Sequence, residues 1–383
     1  MESYEQWKLK LHILSPIHIG CDEVYEPTNF VIDAQNEKLI HFEPLEFIKN
    51  LSEVDKKEFS KICMSDDIPK IFRFVKEHYK KEVGGRRLDI SQQLVKDYER
   101  VLSLQTSNFI NEEINQFKIE RIIYNPNNNL PYIPGSSIKG ALRTAYLTKL
   151  AKEKNIKEYW NSLKKEGLKS GRDNYYVAKK VAKKLENELL GGSFETDPFR
   201  LVKISDFIPA NDVKTKIVYA INKKKKLSKY EKRPNQILET IVQGSIFEGT
   251  ITVFKPITVF KNGKRINIIE EPILLNDLLV ASHNFYANIL EKESNMLESI
   301  GISTLSKIRN NISKTAFIIR IGKHSGAESV TIEGNRMIKI MQGKGKPPKF
   351  LDNSTTIWLA SKAKSINSGD CIPLGWAILE RSN

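Results

Sequence analysis

Residues 7–14 alternate apolar and polar side chains from Trp7 to Leu14, the period-2 pattern of a strand with one buried face. A turn follows at Ser15-Pro16-Ile17-His18-Ile19-Gly20. Residues 29–32 and 39–42 predict a hairpin closed by Asp33-Ala34-Gln35-Asn36. From 44 to about 120 the period changes: apolar residues at helical spacing in a charged background predict a helical insertion, broken once at Gly84-Gly85. Residues 117–124 return to β-branched and aromatic content. Helical spacing resumes at Ile138 and runs to about Leu190, with a break over 167–172. Further strands are expected at 201–204, 237–260, 317–321, 355–359 and 373–379, and a helix at 274–297. Strands separated by helices, twice over, predict an α+β chain of two ferredoxin-like (RRM-like) domains, at 1–210 and 211–383. Neither domain carries the aromatic signature of a standard RNA-recognition motif.

The segment from Pro131 to Ala145 organises this pattern. Pro131 and Pro134 hold the chain extended, Gly135 frees a turn, and Ser136 or Ser137 is an expected N-cap. Ile138, Ala141, Leu142 and Ala145 then form one helical face, and Lys139 and Arg143 stand one turn apart on the other. Gly140 costs about 1 kcal/mol against Ala inside a helix, so a close approach to the backbone is expected there. A helix start with free N–H groups, two hydroxyls and two cations suits a phosphate. An ordinary capped helix with a solvated basic face is the plainer reading. The segment is not a Walker loop, because no Lys-Ser/Thr pair follows the second glycine.

Composition narrows the partner. The 383 residues carry a net charge of +15 although 46 are acidic, so the excess is spread over a charged surface and favours an anionic partner, nucleic acid first. No apolar run approaches the length of a membrane span. The N-terminus has no signal-peptide core, and Cys21, Cys63 and Cys371 have neither disulfide nor zinc spacing. A cytoplasmic protein without metal or cofactor is expected. The most basic stretch, 211–235, contains Lys214, Lys216, Lys223, Lys224, Lys225, Lys226, Lys229, Lys232 and Arg233, with Tyr219 and Tyr230 between them. It reads as an RNA-tracking loop or hairpin, or as a solvated loop. Two glycine loops, Gly322-Lys323-His324-Ser325-Gly326 and one holding Lys344 and Lys346, offer backbone N–H groups and cations for phosphate. A satisfied structural histidine is the default for His18.

These motifs together resemble the RAMP proteins of CRISPR systems. The resemblance rests on the 15–20 loop, on Ile133-Pro134-Gly135-Ser136-Ser137-Ile138-Lys139-Gly140-Ala141-Leu142-Arg143, on Ser205-Asp206, and on Ile321-Gly322 with Gly326. Length, motif order and Ile372-Pro373-Leu374-Gly375-Trp376 are most similar to the fifth-subunit family of type III-A (Csm) interference complexes. The resemblance implies two ferredoxin-like RAMP domains in a subunit that caps the backbone of the complex. It implies binding of the 3′ portion of CRISPR RNA without cutting it. The implied partners are CRISPR RNA, the neighbouring RAMP backbone subunit, other Csm-complex subunits and nucleases that trim the 3′ end. The positions it marks for RNA are His18, Gly20, Ser136, Ser137, Lys139, Arg143, Gly322, Lys323 and Gly326. Asp22, Glu23 and Asp33 match no cleavage motif. Two alternatives stay open. One is a metal-independent CRISPR RNA-processing endoribonuclease with His18 or His324 as acid-base; the other is another RAMP backbone subunit.

Overall fold

The computed structural model describes residues 4–382 except 66, 105–113, 170–173, 227–234, 257, 262–263, 303, 310–315, 343–344, 346–347 and 366–369. Lys229, Tyr230, Lys232, Arg233, Lys344 and Lys346 therefore lie outside the described residues.

The chain forms two ferredoxin-like units, one around each of two sheets. The first strand, Tyr4–Ile13, buries Leu9, Leu11 and Ile13 and turns Lys8, Lys10 and His12 away from the core, as its alternation requires. It pairs antiparallel with Ile246–Phe254 on one side and Trp376–Arg381 on the other. Val202–Ile204 lies beyond Ile246–Phe254, and Phe317–Arg320 beyond Trp376–Arg381. Two helices pack together on this sheet. The central helix, Gly135–Glu153, buries Ile138, Leu142 and Ala145; the late helix, Leu275–Glu298, buries Leu278, Leu279, Phe285 and Leu297. Each fully buried Leu or Phe contributes about 1.5–3 kcal/mol. The chain order is strand, helix, two strands, helix, two strands; apart from the edge strand Phe317–Arg320 this is the ferredoxin-like plan, with the last strand beside the first.

Among the described residues the second sheet contains nine strands. Its centre is the hairpin of Thr215–Lys224 and Asn235–Ile241, flanked by Ile119–Ile122 and Thr356–Ser361. The helices Pro44–Lys49, Glu53–Met64, Ile68–His78 and Gln92–Ser103 lie in the region expected to be helical. The insertion also contributes the strand Arg86–Asp89 to the second sheet. Phe30, Phe72, Tyr98 and Phe117 form an aromatic core beneath that sheet.

Two expectations are corrected. A boundary at 210 does not separate the sheets, because the first strand pairs with 246–254 and 376–381, and the second sheet joins 20–122 to 215–241 and 356–373. The units interleave along the chain. Of the alternatives for the lysine-rich stretch, the structure shows the hairpin, Thr215–Lys224 pairing with Asn235–Ile241, and the loop alternatives are corrected as far as Lys224. Ile217, Val218, Tyr219, Ala220 and Ile221 are buried in a central strand, and Tyr219 donates to Asp97 instead of offering its ring to a base.

Candidate nucleic-acid interface

The sequence motifs converge in two places. The first is a knot of three loops. Lys323 N donates to His18 O at 2.9 Å, Gly375 N to Pro16 O at 3.0 Å, Ile321 N to Gly375 O at 2.9 Å, and Trp376 N to Ser15 Oγ at 2.9 Å. Residues separated by some 300 positions thus share one backbone network. Glycine is required here: Gly322 has φ +86°, and a Cβ on it would lie 2.6 Å from His18 O.

His18 is 1% exposed, and its Nδ1 lies 2.7 Å from Glu239 O. Burial lowers its pKa, against the pull of that hydrogen bond. It is a buried structural histidine bonded through Nδ1 alone: its Nε2 has no hydrogen-bond partner and lies 3.8 Å from a Glu120 carboxylate oxygen. Gly20 is exposed beside its ring. The Lys323 ammonium reaches Glu120. His324 stacks on Trp358 with centroids 3.9 Å apart, and its Nε2 lies 2.8 Å from Gln236 Oε1. Burial, with Lys323 and His18 nearby, pushes the His324 pKa down to about 3. Gln236 and Trp358 stand on the strands that flank Thr215–Lys224, so the glycine loop packs against the lysine-rich strand. Past Gly326, Glu328 accepts from Lys225 at 2.7 Å and from Ser354. Burial opposes its ionisation, but these donors hold its pKa at about 2. Lys224 and Lys226 are exposed and Lys223 half-exposed beside this loop.

Beneath the knot lies a feature that the sequence pattern does not announce. Glu239, inside the strand Asn235–Ile241, is 0% exposed. Tyr25 Oη donates to it at 2.9 Å, Ile122 N at 3.1 Å, and Tyr124 Oη closes the set. Arg86 stacks on Tyr124 at 3.6 Å and donates to Tyr25 Oη at 2.8 Å. A buried carboxylate is tolerated only with such partners. The only trace of this in sequence is a charged residue inside an apolar strand.

The second place is the start of the central helix. Pro134 is its N-cap and no side chain caps it; the carboxylate of Asp206 accepts from Gly135 N at 2.8 Å. The serine cap is thus corrected: Ser136 is exposed, Ser137 half-exposed, and Ser205-Asp206 supplies the anion. The close approach is at Gly135, where a Cβ would meet Ile204 O at 2.3 Å; at Gly140 no described residue outside its own helical turn lies within 4 Å of a Cβ. Lys139 and Arg143 do not form a free cationic face. Lys139 Nζ donates to Phe199 O at 2.8 Å and Val202 O at 2.7 Å. Arg143 pairs with Asp197 at 2.8 Å and lies over Phe199. Their charges hold the turn before Val202–Ile204 against the helix.

No helix among the described residues is long and apolar enough to cross a membrane. No group of three or more His, Cys, Asp or Glu among them is placed to hold a metal ion.

Comparison with known proteins agrees with this architecture. A family model described as the RAMP superfamily matches residues 10–300. A CRISPR system protein, Csm5 of Methanocaldococcus jannaschii, is 27% identical over 200 residues, 52% of this chain and 42% of that protein. The match thus spans less than half of that relative. A chain of the cryo-EM structure of a Csm-crRNA-target RNA ternary complex of a type III-A CRISPR-Cas system superposes with a TM-score of 0.64 at 17% identity, over 98% of this chain and 100% of that one. The crystal structure of T. onnurineus Csm5 gives a TM-score of 0.54 at 18% identity, over 84% and 92%. At these identities the two structures bear on the fold.

Proposed function

Because the chain belongs to the RAMP superfamily, we propose that it is a guide-RNA-binding subunit of a type III-A (Csm) effector complex, related to Csm5. In this reading it caps the backbone of the complex, contacts the neighbouring RAMP subunit and holds the 3′ portion of the CRISPR RNA, aiding its maturation. The observation that carries the RNA assignment is the packing of the late glycine loop against the lysine-rich strand end. His324 of that loop bonds Gln236 and stacks on Trp358, which pair with Ala220 and Asn222, and Glu328 just past the loop pairs with Lys225, beside Lys223, Lys224 and Lys226 in sequence. Lys225 and Lys323 orient the loops through Glu328 and Glu120, and Lys223, Lys224 and Lys226 meet phosphates. Ser136, Ser137 and the open backbone at Gly140 make a second, uncharged contact, with Lys139 and Arg143 as its supports.

The subunit binds RNA without cleaving it. Of the two candidate acid-base groups His18 is buried and His324 half-buried, both have lowered pKa values, and His324 near 3 is the neutral imidazole at neutral pH, without the second ring proton that a general acid donates. Purified protein that binds CRISPR RNA no better than an acidic control at moderate salt would contradict the RNA assignment. Metal-independent cleavage of repeat RNA, retained in EDTA and lost in His18→Ala, would replace it with the processing reading.

A further inference from the structure

Beside the central helix runs a groove that the RNA surface does not use. Its first half, about 550 Å³, is lined by Arg143, Phe194, Phe199, Arg200, Leu201 and Lys203. Its second half, about 320 Å³, is lined by Tyr146, Leu150, Leu189, Leu190, Glu270 and Glu271, and Ile268 belongs to both. Arg143, Tyr146 and Leu150 follow one another along the helix at spacings of three and four residues, so one helix face backs the whole groove.

The groove is built, and it is bipolar. Thr196 fastens the turn that carries Phe194 by donating to Gly191 O at 2.8 Å and accepting from Ser193 N at 3.2 Å. Phe194 is nonetheless 74% exposed, under the Arg200 guanidinium at 5.0 Å, and Ile268 is 39% exposed. At this end Arg143 is neutralised by Asp197 and Lys139 is bonded to carbonyls, while Arg200 and Lys203 are exposed, Arg200 donating to Glu195 O at 2.9 Å and the Glu195 side chain also on the wall. At the other end Glu270 and Glu271 are exposed, while Lys154 is turned onto Leu189 O. An apolar floor between a basic and an acidic end is a poor track for RNA, whose phosphates would meet both glutamates. It suits a peptide.

We propose that this groove seats a linear segment of another protein chain in the assembled complex. That segment carries two apolar side chains between an acidic end, which meets Arg200 and Lys203, and a basic end, which meets Glu270 and Glu271. Charge at the two ends fixes its direction, and the floor supplies the anchor pockets.

The test uses the full chain in its assembled complex, with Phe194 replaced by p-benzoylphenylalanine, an aromatic of similar placement. After irradiation, nuclease and protease digestion, the adduct is mapped by mass spectrometry. The expected result is one protein segment with apolar residues between unlike charges. Its yield should fall roughly tenfold both in Arg200→Glu/Lys203→Glu and in Glu270→Lys/Glu271→Lys. An adduct on RNA, no adduct, an adduct on a segment without that charge pattern, or a yield indifferent to both reversals overturns the proposal. Guide RNA retained by the same complexes is read separately and reports on the RNA-binding function alone.

Discussion

The start of the central helix and the end of the lysine-rich strand both carry clustered cations, yet the fold uses them differently. Lys139 and Arg143 donate to Phe199 O, Val202 O and Asp197, so each has its counterpart inside the chain. Lys223, Lys224 and Lys226 sit where the strand leaves the sheet, and they form no ion pair with a described residue. Equal charge in sequence therefore means cohesion in one place and an open counter-charge site in the other. What separates them is the neighbouring chain. A turn that exposes two carbonyls and a carboxylate lies over the helix, whereas a glycine loop with its own glutamate partners lies beside the strand.

The sharpest way to break this comparison is to remove the glycines that hold each region together. Gly135→Ala drives a methyl into Ile204 O, and Gly322→Ala adds a left-handed backbone penalty to a clash with His18 O. Each variant should lose at least about 1–3 kcal/mol from strain alone, read as a lower midpoint in urea. Wild-type stability in either variant would mean that the packing around that loop is looser than described.

Next comes the helix pair. Lys139→Ala leaves two carbonyls without their donor, and Arg143→Ala leaves Asp197 without its guanidinium. Each should cost about 1–3 kcal/mol, while the folded protein binds RNA with an unchanged salt slope. A stable double variant that has lost RNA affinity would restore these residues to the phosphate.

A smaller effect is set by pH. Burial, helped by Arg121 and Arg86, puts His41 at about 3, beside His324 at about 3 and the lowered His18. The ordinary imidazole value is near 6.5, so the unfolded chain binds more protons below that pH. Stability is then full above pH 6.5 and falls as the pH drops toward 3, with Glu328 adding to the loss between 4.5 and about 2. Thermal midpoints measured from pH 7 to 4 should decline, and less steeply in His324→Gln. A flat profile would mean that these imidazoles are solvated.

Much of the first unit was legible from its periods. The alternation of 7–14 and the helical spacing from Ile138 recur as the strand Tyr4–Ile13 and the helix Gly135–Glu153. The meeting of the 15–20 loop with Gly322 could be approached only through resemblance, because nothing local links residues some 300 apart. Tyr219 reads as an exposed aromatic because lysines flank it. The strand that holds it belongs to a buried sheet, where tertiary packing overrides the local charge. Glu239 shows in sequence only as a charged residue inside an apolar strand, since its four partners come from three distant segments.

If the strand end, and not the helix start, holds the RNA backbone, the two sites must differ in the salt dependence of CRISPR RNA affinity. The variants to compare are Lys223→Ala/Lys224→Ala/Lys226→Ala and Lys139→Ala/Arg143→Ala. The triple variant should keep its stability within about 0.5 kcal/mol and lower the log–log salt slope by roughly one for each phosphate it no longer neutralises. The double variant, compared at equal folded fraction, should leave that slope unchanged. A slope unmoved in the triple variant and reduced in the double one would contradict the assignment of the RNA backbone to the strand end.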